Sequence, residues 1–184
     1  MTTNHKKISR LLSLVLRHRP EKIGIRLNSK GWAKIDKLIL AINEETDFVI
    51  TRDELEEIVR TNDKQRFSFD AHGTMIRANQ GHSVSIDLQL KKTMPPEILY
   101  HGTSSDNCKK IIKSKKIDKM RRHHVHLYDN IKDATQVGSQ RSGKVALIQI
   151  HAKQMWKAGF KFYRSKNGVW LTDYVPLKYI NLKT

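Results

Sequence analysis

Lys91-Lys92-Thr93-Met94-Pro95-Pro96 divides the chain. A charged pair there meets a Pro-Pro step, which neither a helix interior nor a central strand accommodates, because proline has no N–H to donate and its ring blocks the preceding turn. The divide predicts two units, 1–92 and 93–184, each of about ninety residues, a size at which a chain can bury a core of its own. On the N-terminal side Ile8, Leu11, Leu12, Val15 and Leu16 recur at i, i+3, i+4, i+7 and i+8 and share one helical face. Pro20 disfavours helical geometry at Arg19 and marks the end of that helix. Ile35, Leu38, Ile39 and Ile42 predict a second helix. Leu55, Ile58 and Val59 predict a third, with Thr51 and Glu54 as its capping box. Phe67-Ser68-Phe69 and Met75-Ile76 then flank the turn residues Asp70-Ala71-His72-Gly73, a hairpin signal. Helices followed by a β-wing predict a winged-helix-like lobe, a shape that often binds nucleic acid, although that step is fold analogy.

The C-terminal side has a different texture. Short apolar strands are predicted at Ile98-Leu99-Tyr100, Val125-His126-Leu127, Val145-Ala146-Leu147-Ile148 and Val169-Trp170-Leu171, separated by helical or loop segments. Between the first two, Ile111 and Ile112 anchor a predicted helix that is otherwise heavily basic. The fold class is therefore α+β, and no internal repeat suggests an array.

Charge points to the partner. In 184 residues, 35 Lys and Arg stand against 18 Asp and Glu, a formal net charge of +17 with the basic residues spread along the length. A polyanion is the natural partner, and nucleic acid is favoured over a membrane surface because no long apolar run and no basic amphipathic terminus is present. Met1-Thr2-Thr3-Asn4-His5 lacks the apolar core of a signal peptide, and the single Cys108 suits the cytoplasm. One cysteine and scattered histidines predict no metal site. Cys108 itself reads as a small buried residue on the basic helix. Glu44-Glu45 and Glu56-Glu57 read as solvated helix surface.

No dinucleotide-binding GxGxxG follows a strand, and neither a GxxxxGK[ST] phosphate loop nor a Gly-x-Ser-x-Gly elbow occurs. What remains is basic and histidine-rich. Arg17-His18-Arg19-Pro20 sets two guanidiniums around an imidazole at a helix end, where arginine forks suit phosphate oxygens and histidine exchanges a proton near neutral pH. The plainer alternative is a basic last turn that complements the helix dipole. His101-Gly102-Thr103-Ser104 follows a strand, and Arg121-Arg122-His123-His124 leads into another. Glycine there admits a ligand close to the backbone, and the polar side chains offer donors to a pyrophosphate or ribose. A turn followed by a helix cap explains the first stretch equally well. Arg66, before the hairpin, reads alone as an exposed wing arginine.

Taken in order, Ser9-Arg10-Leu11-Leu12-Ser13-Leu14-Val15-Leu16-Arg17-His18-Arg19-Pro20, Gly31-Trp32, Lys64-Gln65-Arg66-Phe67, Tyr100-His101-Gly102-Thr103, His124-Val125-His126-Leu127 and Asn167-Gly168-Val169-Trp170-Leu171-Thr172 resemble the NAD-dependent RNA 2′-phosphotransferases, also called tRNA 2′-phosphotransferases. The resemblance covers nearly the whole chain. It implies a winged-helix RNA-binding lobe over 1–92, an ADP-ribosyltransferase-like NAD-binding lobe over 93–184, and an active site in the cleft between them. It further implies removal of an internal RNA 2′-phosphate in two steps, through an RNA-2′-phospho-ADP-ribose intermediate, with NAD consumed as co-substrate. The products are 2′-hydroxyl RNA, nicotinamide and ADP-ribose 1″,2″-cyclic phosphate.

The family's Arg-His-Arg-Arg tetrad falls on Arg17, His18, Arg66 and Arg121, and its NAD pocket on His101, Gly102, Thr103 and His126. RNA with an internal 2′-phosphate and NAD are the implied partners, with no metal, no membrane and no obligate protein partner. The chain departs from the pattern at Tyr128, where a serine is expected, and in Gly138-Ser139-Gln140-Arg141-Ser142-Gly143-Lys144, a loop longer than usual that offers Arg141 as a phosphate ligand. Two other readings fit parts of the chain: a nonenzymatic winged-helix binder, and an ADP-ribosyltransferase acting on terminal phosphates of nucleic acid.

Overall fold

The computed structural model describes residues 3–140 and 143–183. The chain is mixed α+β, with several small antiparallel sheets, and separates into two compact units, Met1–Gln89 and Leu90–Thr184.

In the first unit, helix α1 (Thr3–Arg17) presents Ile8, Leu12, Val15 and Leu16 to the core, all buried, while Leu11 packs at its margin. The helix stops two residues before Arg19. His18 and Arg19 both donate their N–H to the Leu14 carbonyl at 2.9 Å, closing the last turn, and Arg19 has left helical geometry, with φ −142° and ψ 63°, beside the proline. A 3-10 turn over Pro20–Ile23 follows. A two-residue strand β1 (Ala33–Lys34) leads into α2 (Ile35–Glu45), whose Leu38 and Ile42 are buried. Helix α3 (Arg52–Arg60) begins with the capping box read from the sequence: Glu54 N–H donates to Thr51 Oγ1 at 3.2 Å, and Thr51 N–H donates to Glu54 Oε2 at 2.9 Å. Strands β2 (Phe67–Phe69) and β3 (Met75–Ala78) form the expected hairpin, its turn held by Asp70 Oδ1, which accepts the N–H groups of Thr74 and Met75 at 2.8 Å. The sheet has a third member that the sequence hid. β1 pairs with β3, placing Ala33 opposite Ile76, so the order is β1-β3-β2.

In the second unit, strand β4 (Leu99–Ser104) runs directly into α4 (Ser105–Ser114), capped by Ser104. β5 (Lys116–Asp118), β6 (Val125–Leu127), α5 (Ile131–Gly138), β7 (Val145–Ile150), α6 (Ala152–Lys157), β8 (Phe162–Arg164), β9 (Trp170–Thr172), β10 (Tyr174–Pro176) and β11 (Ile180–Lys183) complete it. They form sheets of order β11-β7-β4, β6-β9-β8 and β10-β5, all antiparallel. Leu99, Leu127, Ile148, Ile150, Met155 and Phe162 are wholly buried in its core.

Two sequence expectations change here. His101-Gly102-Thr103-Ser104 does not follow the strand but forms most of it, paired with Ile148, Leu147, Ala146 and Val145, because the apolar β7 run supplies a complete ladder for it. Gly102 is glycine for packing reasons: a Cβ built there would lie 1.7 Å from the Ala134 carbonyl oxygen of α5. The close neighbour is a helix of the same unit. Finally, only Ile111 anchors α4, while Ile112 is 47% exposed, since successive residues of a helix point about 100° apart. Cys108 lies on α4, half-buried against the core, and burial pushes its thiol pKa up.

Candidate active site

Arg17 and His18 stand where α1 gives out, and a helix end leaves carbonyls without intrahelical donors. The Arg17 carbonyl accepts N–H groups from Ser83 at 2.8 Å and Val84 at 3.3 Å, and His18 Nδ1 lies 2.9 Å from Ser83 Oγ. The segment around Ser83 therefore clasps the helix end, with Gln80 and His82 buried inside it. Arg17 is half-buried, and its Nε and Nη2 are shielded from solvent. Arg19 behaves differently: it is exposed and meets Glu21 at 3.4 Å in a surface ion pair, an interaction of little energetic consequence.

Arg66 is not the exposed wing arginine that its sequence context suggests. Its Nη1 donates to Asn62 Oδ1 and to Asp63 Oδ1, each at 3.2 Å. The chain around it is pinned as well, since Asn79 donates its side-chain amide to the Gln65 carbonyl at 2.6 Å and its N–H to the Arg66 carbonyl at 2.8 Å. Those bonds hold Gln65 at φ +43°, a backbone region that non-glycine residues seldom occupy. Asn62 also reaches α1 through Ser9, about 12 Å before Arg17 at 1.5 Å per residue. Arg17, His18 and Arg66 thus share one unit, with α1 touched by Asn62 at Ser9 and by the Ser83 segment at its end.

The second unit brings together the two histidines. Tyr128 and Tyr100 exchange backbone hydrogen bonds at 2.7 and 2.9 Å, which docks the end of β6 on β4. His101 Nδ1 then lies 3.0 Å from the His126 carbonyl, and a carbonyl only accepts, so Nδ1 carries the proton. His126 Nδ1 lies 3.0 Å from Arg122 Nη1, and a guanidinium only donates, so Nδ1 is the acceptor. A neutral His126 is therefore the Nε2–H tautomer, while a neutral His101 is the Nδ1–H tautomer. The side chains of both are half-buried, whereas Gly102 and Thr103 are buried within β4. His124 packs edge-on against Tyr163 at 5.4 Å between ring centroids, and burial holds its pKa below the usual imidazole range. Arg121 sits exposed on the turn between β5 and β6, with no hydrogen bond or ion pair among the described residues. Arg141 lies outside the described residues. Among those residues no group of three His, Cys, Asp or Glu side chains is placed to hold a metal ion, and no helix is long and apolar enough to cross a membrane.

Sequence comparison supplies what two separately described units do not. The model of the RNA 2′-phosphotransferase, Tpt1/KptA family matches residues 3–174, which takes in every candidate residue of both units. The chain belongs to that family. A probable RNA 2′-phosphotransferase of Nostoc punctiforme is 51% identical over 174 residues, covering 95% of this chain and 94% of its own length. Proteins of the same description from Fusobacterium nucleatum and Streptomyces coelicolor are 46% and 43% identical, over 180 and 174 residues. They cover 96% and 95% of this chain, and 98% and 93% of their own lengths.

Three residues around the family's candidate positions are not legible in the sequence: Asn62, Asn79 and Ser83. Asn62 follows α3 and reads as an ordinary helix-ending residue. The other two carry no local pattern at all, because what they do depends on contacts with distant segments.

Proposed function

We propose that Arg17, His18, Arg66 and Arg121 act together on the 2′-phosphate of an RNA, and that His101, Gly102, Thr103 and His126 line the place where NAD binds. As a member of its family the chain is a transferase that moves an RNA 2′-phosphate to NAD. Residues 1–92 serve as a winged-helix-like RNA-binding lobe, a reading supported by three helices packed with the β1-β3-β2 sheet. Residues 93–184 serve as an ADP-ribosyltransferase-like NAD-binding lobe.

The observation that carries the proposal is a held arginine, Arg66, in the same unit as the Arg17-His18 pair, its support Asn62 bonded to the helix that bears that pair. Arginine forks bind phosphate through charge-assisted, directional hydrogen bonds. Anchored forks need no reordering when charge builds up at phosphorus, which is where electrostatic catalysis is most effective. In the first step a 2′-phosphate oxygen forms a bond to the anomeric carbon of the nicotinamide ribose, and the glycosidic bond to nicotinamide breaks. The phosphate is already anionic, so no protein base is required to make it nucleophilic.

In the second step the 2″-hydroxyl oxygen of the ADP-ribose moiety bonds to phosphorus and the bond from phosphorus to the RNA 2′-oxygen breaks. One proton leaves the 2″-hydroxyl and one arrives on the RNA 2′-oxygen. His18, held against Ser83, is the group suited to handle it. On the NAD side, the His101 ring is tied to the His126 carbonyl, which holds the two histidines of the proposed pocket together. The test is to incubate an RNA oligonucleotide carrying one internal 2′-phosphate with the protein, with and without NAD. Loss of the phosphate only when NAD is present, with release of nicotinamide, is the expected result. Binding without turnover would favour a nonenzymatic binder, and stable ADP-ribose on a terminal phosphate would favour the third reading.

A further inference from the structure

We propose that Asn62 is the positioning residue for Arg66: a buried amide that fixes which edge of the guanidinium faces the RNA phosphate. This deepens the functional reading above and rests on it. Asn62 is 1% exposed, so its amide has no water to fall back on, and every polar group it carries is spent on a neighbour. Its Nδ2 donates to Ser9 Oγ of α1 at 3.0 Å. Its Oδ1 accepts both the backbone N–H of Arg66 at 3.1 Å and the Arg66 Nη1 at 3.2 Å. Its carbonyl accepts the Gln65 backbone N–H at 2.9 Å and the Gln65 side-chain amide at 3.1 Å. One side chain therefore ties α1 to both the main chain and the side chain of Arg66.

The consequence for the guanidinium is directional. Both of its protein contacts, to Asn62 and to Asp63, use Nη1. Nε and Nη2 have no acceptor among the described residues. A guanidinium is rigid and planar, so fixing Nη1 fixes the opposite edge, where Nε and Nη2 form a two-donor fork matched to two phosphate oxygens. Asp63 cannot do this alone. Its side chain is 66% exposed, so its ion pair with Arg66 is heavily screened. The neutral amide of Asn62 holds the arginine without placing a buried negative charge beside the incoming phosphate, which a carboxylate at that position would do.

The test measures the ratio of dissociation constants for two RNA oligonucleotides that differ only in one internal 2′-phosphate. It uses the wild-type protein, Asn62→Ala, Arg66→Ala and the double variant, each with a melting curve. Asn62→Ala is expected to cut the preference for phosphorylated RNA about tenfold, the usual order for a hydrogen bond to a charged group. In the Arg66→Ala background the same change should alter the preference less than about twofold, because there is no fork left to aim. Asn62→Ser, whose hydroxyl is too short to reach Nη1, carries the same expectation if Asn62→Ala does not fold. An equal loss in both backgrounds would show a merely structural asparagine and overturn the proposal. So would an unchanged preference in an otherwise normal Asn62 variant. Wild-type protein that neither prefers the phosphorylated RNA nor consumes NAD with it would instead sink the functional reading.

Discussion

Arg66 and Arg121 carry the same group in opposite settings. Arg66 lies in a loop whose main chain and side chain are both held by buried asparagines, and its guanidinium has one edge engaged by protein. Arg121 sits on an exposed turn with nothing holding it among the described residues. The first loses its ordering entropy on folding; the second, if it binds the phosphate as proposed, loses it only then. The two units also differ in how they place polar groups. The first uses polar residues such as Asn62, Asn79 and Ser83, whereas the second uses the strand ladder, with β4 wedged against α5 so tightly that Gly102 has no room for a methyl group.

The largest effect that would break this contrast concerns Gly102. Gly102→Ala is expected to destabilise the protein by about 3 kcal/mol, since the added carbon overlaps the Ala134 carbonyl of α5 and the strand or the helix must shift. Urea denaturation checks it. A variant with normal stability would mean that α5 leaves room for a methyl group and that packing does not demand glycine there.

Arginine-to-lysine substitutions sharpen the contrast further. Lysine keeps the charge but lacks the fork, and it cannot both occupy the Asn62 contact and present two donors to phosphate. Arg66→Lys is therefore expected to lower kcat/KM for NAD-dependent removal of the 2′-phosphate about a hundredfold. Arg121→Lys, where the protein imposes no orientation, should cost closer to about tenfold. Equal losses would erase the distinction between a held and an unheld arginine.

What the sequence revealed follows the same division. Patterns carried by neighbours along the chain were legible: the Ile8 to Leu16 face of α1, the Thr51–Glu54 capping box and the β2–β3 hairpin. Several very short strands were not, as β1, β5 and β10 show, because their identity depends on a partner strand far along the chain. β4 was shortened for the same reason. Its His-Gly-Thr-Ser end looks like a turn until β7 is laid beside it. Among the candidate residues, types and order were legible through a family resemblance, but the supports were not. Nothing local in Thr61-Asn62-Asp63 indicates that its asparagine binds both Ser9 and Arg66.

The central claim is that His18, at the end of α1, handles the proton of the second step while the arginines hold the phosphate. It is tested most directly by a single-turnover reaction of His18→Ala with NAD and an RNA bearing one internal 2′-phosphate, resolving the RNA species over time. The account predicts release of nicotinamide and accumulation of RNA-2′-phospho-ADP-ribose, with little 2′-hydroxyl RNA. Conversion to 2′-hydroxyl RNA at the wild-type rate, with no such species building up, would contradict it.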